Sequence, residues 1–293
     1  MKVLVLGGTR FFGKKLVHLL EQEGHEVFVF SRGQAKVEFS DSVKRLTGDR
    51  TDVKSLRAAV DGLQFDAVVD QVCMTAHDAE IAVEVFKDKT PRYIVTSTLA
   101  VYGWGDLHPE SDVVPANYIK QPAETPAQKY GEDKRAMECV FSQQKFFSVA
   151  MVRFPVVVSE DDYTHRLRDH VWNVLRQEPI YFPNLDARFM LVHADDAARS
   201  LLWLVTNEHQ GPLNIATAET FTLRELMKKI ENICGQKTVY SEEVSKGWVS
   251  PYGAYADWTM DVSLSEKLGF QCRSLGSFLD DLLIEFKKEY EKK

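Results

Sequence analysis

The stretch Met1-Lys-Val-Leu-Val-Leu-Gly-Gly-Thr-Arg-Phe-Phe-Gly13 constrains the fold more than any other part of the chain. Val3 to Leu6 is a short apolar run of the kind found in a strand buried on both faces. Gly7, Gly8 and Gly13 follow at once, and a helical apolar pattern then runs from about Phe12 to Glu23. A strand that turns this tightly into a helix needs glycine, because only a residue without Cβ lets the backbone come close to a phosphate. The helix start adds unpaired N–H groups and a partial positive charge. Gly7, Gly8, Thr9, Arg10, Phe11, Phe12 and Gly13 are therefore expected to cradle the pyrophosphate of a dinucleotide. The competing reading, an ordinary glycine-bearing turn, is disfavoured by the position after a first strand and before a helix.

Further apolar runs repeat the alternation. Strands are expected at Glu26–Phe30, Lys44–Thr47, Phe65–Val69, Arg92–Ser97 and Phe147–Arg153, with helices at Val53–Val60, Ala76–Phe86 and from about Gln128. Strands and helices in such alternation give an α/β fold, a doubly wound parallel sheet with right-handed crossovers. Ligands of these sheets sit at the carboxyl ends of the strands. Gly7, Ser31, Asp49, Gln71 and Thr98 fall there, with Arg50, Val72, Thr96 and Pro155 beside them. The end of the second strand meets the adenosine ribose, where an acid suits NAD and a base suits NADP. That place holds Ser31 and Arg32, and Arg10 lies within reach in the glycine turn, so NADP is favoured over NAD.

Residues 103–127 read as one long polar loop, either an active-site wall or a surface excursion. Beyond Val158 the pattern changes. Helices are expected at 165–177, 195–206, 261–269 and 275–291, with another opened by the capping box Thr222–Glu225. Short extended pieces are expected at 188–191 and 213–216, and Asp195 is expected to cap the helix that follows it. The expected division is a dinucleotide domain of residues 1–158, with about 189–216 returning to it. A smaller, mainly helical C-terminal domain of about 159–188 and 217–293 would take the substrate.

The hydrophobic share of 44% and charged share of 27% are those of a globular chain. No apolar run approaches the ~20 residues of a membrane helix, and no charged leader or cleavage site precedes the first strand. No membrane partner is expected. Cys73, Cys139, Cys234 and Cys272 form no CxxC pair, so no metal site is expected and a reducing cytoplasm fits. A net charge of −7 argues against nucleic acid as a partner.

Tyr130 and Lys134 are four apart on an expected helix and share a face. A tyrosine ordinarily loses its proton near pH ~10, and a neighbouring ammonium favours the phenolate. Tyr130 is thus a candidate general base for a substrate hydroxyl, with Lys134 able to bind the nicotinamide ribose. Thr98, just past the fifth strand, can polarise the same substrate oxygen. A Tyr-x-x-x-Lys spacing alone is common; its weight comes from the nucleotide-binding half before it.

These residues carry a family resemblance over nearly the whole length. The chain resembles the extended short-chain dehydrogenase/reductases, and among them the NAD(P)-dependent nucleotide-sugar epimerase/dehydratase family, which have a Rossmann-type sheet. Gly7-Gly-Thr-Arg-Phe-Phe-Gly13 is similar to that family's Gly-Gly-x-Gly-Phe-Ile-Gly, with Arg10 for the middle glycine. Thr96-Ser-Thr-Leu-Ala-Val-Tyr-Gly103 is similar to Ser-Ser-Ser-x-x-Val-Tyr-Gly, and places the catalytic hydroxyl at Thr98. Tyr130-Gly-x-x-Lys134 is similar to the catalytic helix, Arg153-Phe-Pro155 to a segment near the nicotinamide, Asp195-Asp-Ala197 and Leu213-Asn-Ile-Ala216 to two later motifs. Arg188, seven residues before Asp195, matches an arginine that binds sugar-nucleotide phosphates. The family's phosphate-contacting asparagine falls near Val156.

The resemblance implies transient oxidation of a sugar to a keto intermediate by hydride transfer, with a nucleotide sugar as substrate and Thr98, Tyr130 and Lys134 as the catalytic set. Many members of that family form homodimers through a four-helix bundle that includes the catalytic helix; the sequence itself fixes no oligomeric state. In 4,6-dehydratases an aspartate and a glutamate follow the catalytic hydroxyl. Leu99 and Ala100 stand there and cannot move protons, so an epimerase or reductase is expected. The alternative is an RNA-associated or cofactor-sensing binding protein on the same fold, which would have no need of Thr98, Tyr130 and Lys134.

Overall fold

A computed structural model describes residues 1–292. The first half is Lys2–Leu6 (β1), Phe11–Gln22 (α1), Glu26–Ser31 (β2), Lys44–Thr47 (β3), Val53–Ala59 (α2), Ala67–Asp70 (β4), Ala76–Phe86 (α3) and Arg92–Thr98 (β5). There follow Gly105–His108 (β6), Pro126–Gln143 (α4), Ser148–Phe154 (β7), Val156–Val158 (β8), Arg166–Arg176 (α5), Ile180–Tyr181 (β9), Arg188–Phe189 (β10), Leu191–His193 (β11), Ala194–Thr206 (α6) and Gly211–Asn214 (β12). The rest is Phe221–Thr222 (β13), Leu223–Cys234 (α7), Tyr240–Ser241 (β14), Trp248–Val249 (β15), Trp258–Met260 (β16), Ser263–Lys267 (α8) and Leu279–Glu291 (α9).

Seven strands form one parallel sheet in the order β12-β7-β5-β4-β1-β2-β3. Its inner strands are mainly apolar because both faces are covered, whereas the edge strand β3 is polar and largely exposed. Val3, Val5, Val27, Val29 and Val69 pack on one face with α1 and α6, while Leu4, Leu6, Phe28, Phe30 and Val68 pack on the other with α3 and α4. Pairing of Leu6 with both Phe30 and Asp70 keeps the strand ends level. The turns after them therefore share one edge.

A third apolar cluster joins α5, α7 and α9 through Leu167, Val171, Leu226, Ile230, Leu282 and Leu283. A fourth links the end of β5 to later segments through Leu99, Tyr102, Met190, Ala216 and Met260.

Several details differ from the sequence reading. The 103–127 segment is not a plain loop: β6 pairs with β16 in parallel, and Leu107 N–H donates to Thr259 Oγ1 at 2.7 Å. The C-terminal helices are shorter than expected. Among the described residues, nine of the sixteen strands lie outside the main sheet and have two to four residues, too few to show a period of two. Asp195 does not cap α6; His193 does, accepting from the Asp195 N–H at 3.2 Å. The Asp195 carboxylate instead meets Lys15 at 2.9 Å and Arg273 at 3.2 Å. The capping box Thr222–Glu225 forms as expected.

Candidate active site

The turn from β1 to α1 is tight enough to require its glycines. Gly7 has φ +91°, and a Cβ there would stand 2.6 Å from Val72 Cγ1. A Cβ on Gly13 would stand 2.7 Å from both the Gly7 carbonyl and Gln71 Oε1. No side chain caps α1, so the N–H groups of its first turn remain for a ligand. At the same sheet edge Gln71 Nε2 and Thr96 Oγ1 are buried without a partner. Buried polar atoms are ordinarily satisfied, so these two donors are free to take a polar ligand. A narrow glycine cradle with orphaned donors beside it fits a dinucleotide.

Gly7, Gly8, Thr9 and Arg10 form the turn after β1 and Phe11, Phe12 and Gly13 open α1, while Ser31, Arg32, Asp49, Arg50, Gln71, Val72, Thr96, Thr98 and Pro155 lie in or just after strands at this edge. Arg32 is exposed, and Arg10 lies 5.6 Å over the Tyr163 ring. Hydrogen bonds from the Thr51 hydroxyl and N–H hold the Asp49 carboxyl below its ordinary range. Arg50 is buried, with its guanidinium on Asp70 at 2.5 Å and Asp78 at 3.2 Å. Its Nε is buried without a partner.

Thr98 ends β5 and caps the 3-10 turn Leu99–Val101 by accepting from the Ala100 N–H at 3.1 Å. Its hydroxyl proton stays available to a substrate oxygen. Tyr130 is 38% exposed on α4, open to the outside rather than packed away. Lys134, one turn on, is buried and donates to the carbonyls of Cys73 at 2.7 Å and Thr96 at 2.9 Å. An ammonium has three donors, so one remains.

Close contact seats α4 on this edge. Gly131 lets the helix approach until its missing Cβ would be 2.3 Å from the Ala100 carbonyl oxygen. Arg135 donates to the Val101 carbonyl and to Glu132. Glu132 in turn accepts from the Gln121 N–H at 2.6 Å and the Tyr118 hydroxyl at 2.7 Å, anchoring the preceding loop. Burial works against the Glu132 charge, but these donors hold its pKa below the usual value. Arg153, fully buried, is clamped by Glu138 at 3.0 and 2.6 Å and by the Tyr102 hydroxyl at 2.8 Å.

A model of the NAD dependent epimerase/dehydratase family matches residues 3–216. The chain belongs to this family. The Arabidopsis thaliana protein described as chloroplast stem-loop binding protein of 41 kDa b is 27% identical over 264 residues, 84% of this chain and 61% of that protein. The chain thus spans about three fifths of that relative's length. A 2'-dehydrokanamycin reductase of Streptomyces kanamyceticus is 26% identical over 246 residues, 80% of this chain and 67% of that one. In fold the chain is similar to UDP-glucose 4-epimerase of Thermotoga maritima with UDP-glucose, at a TM-score of 0.78 and 17% identity over 100% of this chain and 99% of that one.

Arg188 stands on β10, half exposed, with Asp106 at 3.6 Å and Thr220 accepting from its guanidinium. Trp104, Tyr255 and Trp258 cluster nearby, with Trp104 at 4.9 Å from Trp258 and 6.1 Å from Tyr255. Among the described residues no group of three or more His, Cys, Asp and Glu is placed to hold a metal, and no helix is long and apolar enough to cross a membrane. Sequence reasoning gave no role to Asp70, Asp78 and Glu132, and quoted Gly131 only as part of the Tyr130–Lys134 motif. The one available signal for the acids was Asp70 closing an apolar strand.

Proposed function

We propose that the chain is an NAD(P)-dependent epimerase or reductase acting on a sugar, nucleotide-linked in the leading reading, through a keto intermediate. The observation that supports this reading is Lys134, one helical turn from Tyr130, held at the carbonyls of Cys73 and of Thr96 on the strand that Thr98 ends, with the Gln71 and Thr96 side chains unpaired beside the glycine turn. Gly7 to Gly13 would hold the pyrophosphate, Ser31 and Arg32 the adenosine ribose, and Lys134 the nicotinamide ribose. When bound, the dinucleotide supplies a hydride acceptor and donor. Thr98 donates a hydrogen bond to the substrate oxygen, and Tyr130 removes its proton on oxidation and returns it on reduction. Lys134, held at two carbonyls, presents its remaining donor and its positive charge to the site. Leu99 and Ala100 offer no proton-transferring group for loss of water, which argues against a 4,6-dehydratase.

A reductase acting on a sugar without a nucleotide is the second reading. Arg188 already shares its charge with Asp106, and Val156 offers no hydrogen bond to a phosphate, so the phosphate anchors are weak.

Titration of the protein with NADPH and with NADH, followed by nicotinamide fluorescence, tests the first part. Tighter binding of NADPH is expected, with the preference lost in Arg32→Ala; binding of neither would overturn the reading. Tyr130→Phe should abolish turnover of UDP-linked sugars or of free keto sugars while leaving dinucleotide affinity within a few-fold. Undiminished turnover in that variant would overturn the mechanism.

A further inference from the structure

A buried ion cluster stitches together the segment between Asp70 and Asp78, and the proposed reaction makes no use of it. Asp70 closes β4 and is fully buried. One of its oxygens accepts from the Val72 N–H at 2.9 Å; the other takes Arg50 Nη2 at 2.5 Å and the Tyr93 hydroxyl at 2.7 Å. Asp78, on α3, accepts from the N–H groups of Met74 at 2.9 Å and Thr75 at 3.0 Å. Arg50 Nη1 reaches Asp78 as well, at 3.2 Å to the carboxylate and 2.9 Å to the carbonyl. The residues on either side of Cys73 thus have their N–H groups fixed by a carboxylate each, and one guanidinium joins the two carboxylates.

Cys73 lies between these pins, and its carbonyl receives Lys134 Nζ at 2.7 Å. Burial pushes the Cys73 thiol up, so the thiol stays neutral and the carbonyl is the group that Lys134 meets. The same segment leans on the glycine turn, where Val72 and Gln71 fill the spaces that Cβ atoms on Gly7 and Gly13 would need. Burying one cation and two anions costs several kcal/mol per ion before pairing, and apolar packing often serves stability as well. A rigid guanidinium fork contributes geometry instead.

We propose that Arg50, Asp70 and Asp78 are positioning residues whose cluster fixes the Cys73 carbonyl, and through it the Lys134 ammonium, at a set place opposite the glycine turn. The inference rests on the reading of Lys134 as the group that meets the nicotinamide ribose. It predicts that loosening the cluster harms the nicotinamide half of a dinucleotide and spares the adenosine half.

The test uses Asp78→Asn, which keeps the shape, and Arg50→Lys, which keeps the charge. Lys134→Met is the reference and Tyr93→Phe the control, since it removes one donor from Asp70 while leaving the Arg50 fork. For each, affinity is measured by nicotinamide fluorescence for whichever of NADPH and NADH the wild type binds more tightly. Affinity for the matching adenosine half, adenosine 2',5'-bisphosphate or ADP, is measured by competition. Asp78→Asn and Arg50→Lys are expected to weaken the whole dinucleotide about tenfold, as Lys134→Met does, with the adenosine half within twofold. Tyr93→Phe should leave both within twofold. Equal weakening of whole and half, or unchanged dinucleotide affinity where Lys134→Met loses it, would overturn the proposal. If the wild type binds no dinucleotide, or Lys134→Met binds it normally, the reading of Lys134 itself has failed and the inference falls with it.

Discussion

Gly131→Ala asks how closely the helix that carries Tyr130 must sit against the strand ends. The added Cβ would meet the Ala100 carbonyl oxygen at 2.3 Å and its carbon at 3.3 Å. The atom it meets is backbone, held in place by the Thr98 cap on the Ala100 N–H and by Arg135 on the Val101 carbonyl. Relief requires α4 to retreat by roughly 1 Å. Helix propensity alone would favour alanine by about 1 kcal/mol. Overpacking of a tight contact costs about 1–3 kcal/mol. The second effect is the larger at so short a distance, and a net loss of about 1–2 kcal/mol is expected in urea unfolding. Turnover should fall much further, on the order of a hundredfold, because Tyr130 moves with the helix. A variant as stable as the wild type, or more stable, would show that the approach is not a constraint.

Two other expectations concern stability. Glu138→Ala strands the fully buried Arg153 without its carboxylate and should cost about 3–5 kcal/mol; the pair Glu138→Leu with Arg153→Met should recover much of that in urea unfolding, and an equal loss in both would count against the assignment. Burial pushes His170 down to about 4, against a backbone hydrogen bond to Arg166 that works the other way. The unfolded chain therefore binds the proton that the folded one refuses. Stability should be full above pH ~6.5 and fall by at most on the order of 3 kcal/mol as pH drops to ~4. His170→Gln should flatten the fall, and an unchanged profile would assign it to other groups.

The main sheet was legible because its inner strands β1, β2, β4 and β7 are buried on both faces and carry apolar runs. Lys44–Thr47 lies at the sheet edge and was placed by the alternation around it rather than by its own polar residues. The glycine turn was legible because a strand that passes straight into a helix there needs residues without Cβ, whereas Thr98, Tyr130 and Lys134 were singled out by motif spacing and family resemblance. What stayed hidden depends on contacts distant in sequence. β6 takes its order from β16 about 150 residues later, and nothing within Gly105–His108 signals it. Arg50 looked like a ligand-facing base at a strand end; its buried carboxylate partners, Asp70 and Asp78, decide otherwise. His193 displaced Asp195 as the α6 cap because Lys15 and Arg273 claim the Asp195 carboxylate.

The place of β12 at the sheet edge has a consequence for the order in which the chain folds during synthesis. β7 pairs with β5 on one side and with β12 on the other, yet β12 follows it by more than fifty residues. At about 5–20 residues per second, the outer edge of β7 emerges several seconds before its partner exists. An apolar strand with a bare row of N–H and C=O groups is a template for stray pairing. That interval is when the nascent chain is most exposed to its neighbours. When β12 arrives it brings Pro212, which has no N–H to offer, so the edge it leaves to solvent is a poorer template than the one it covers.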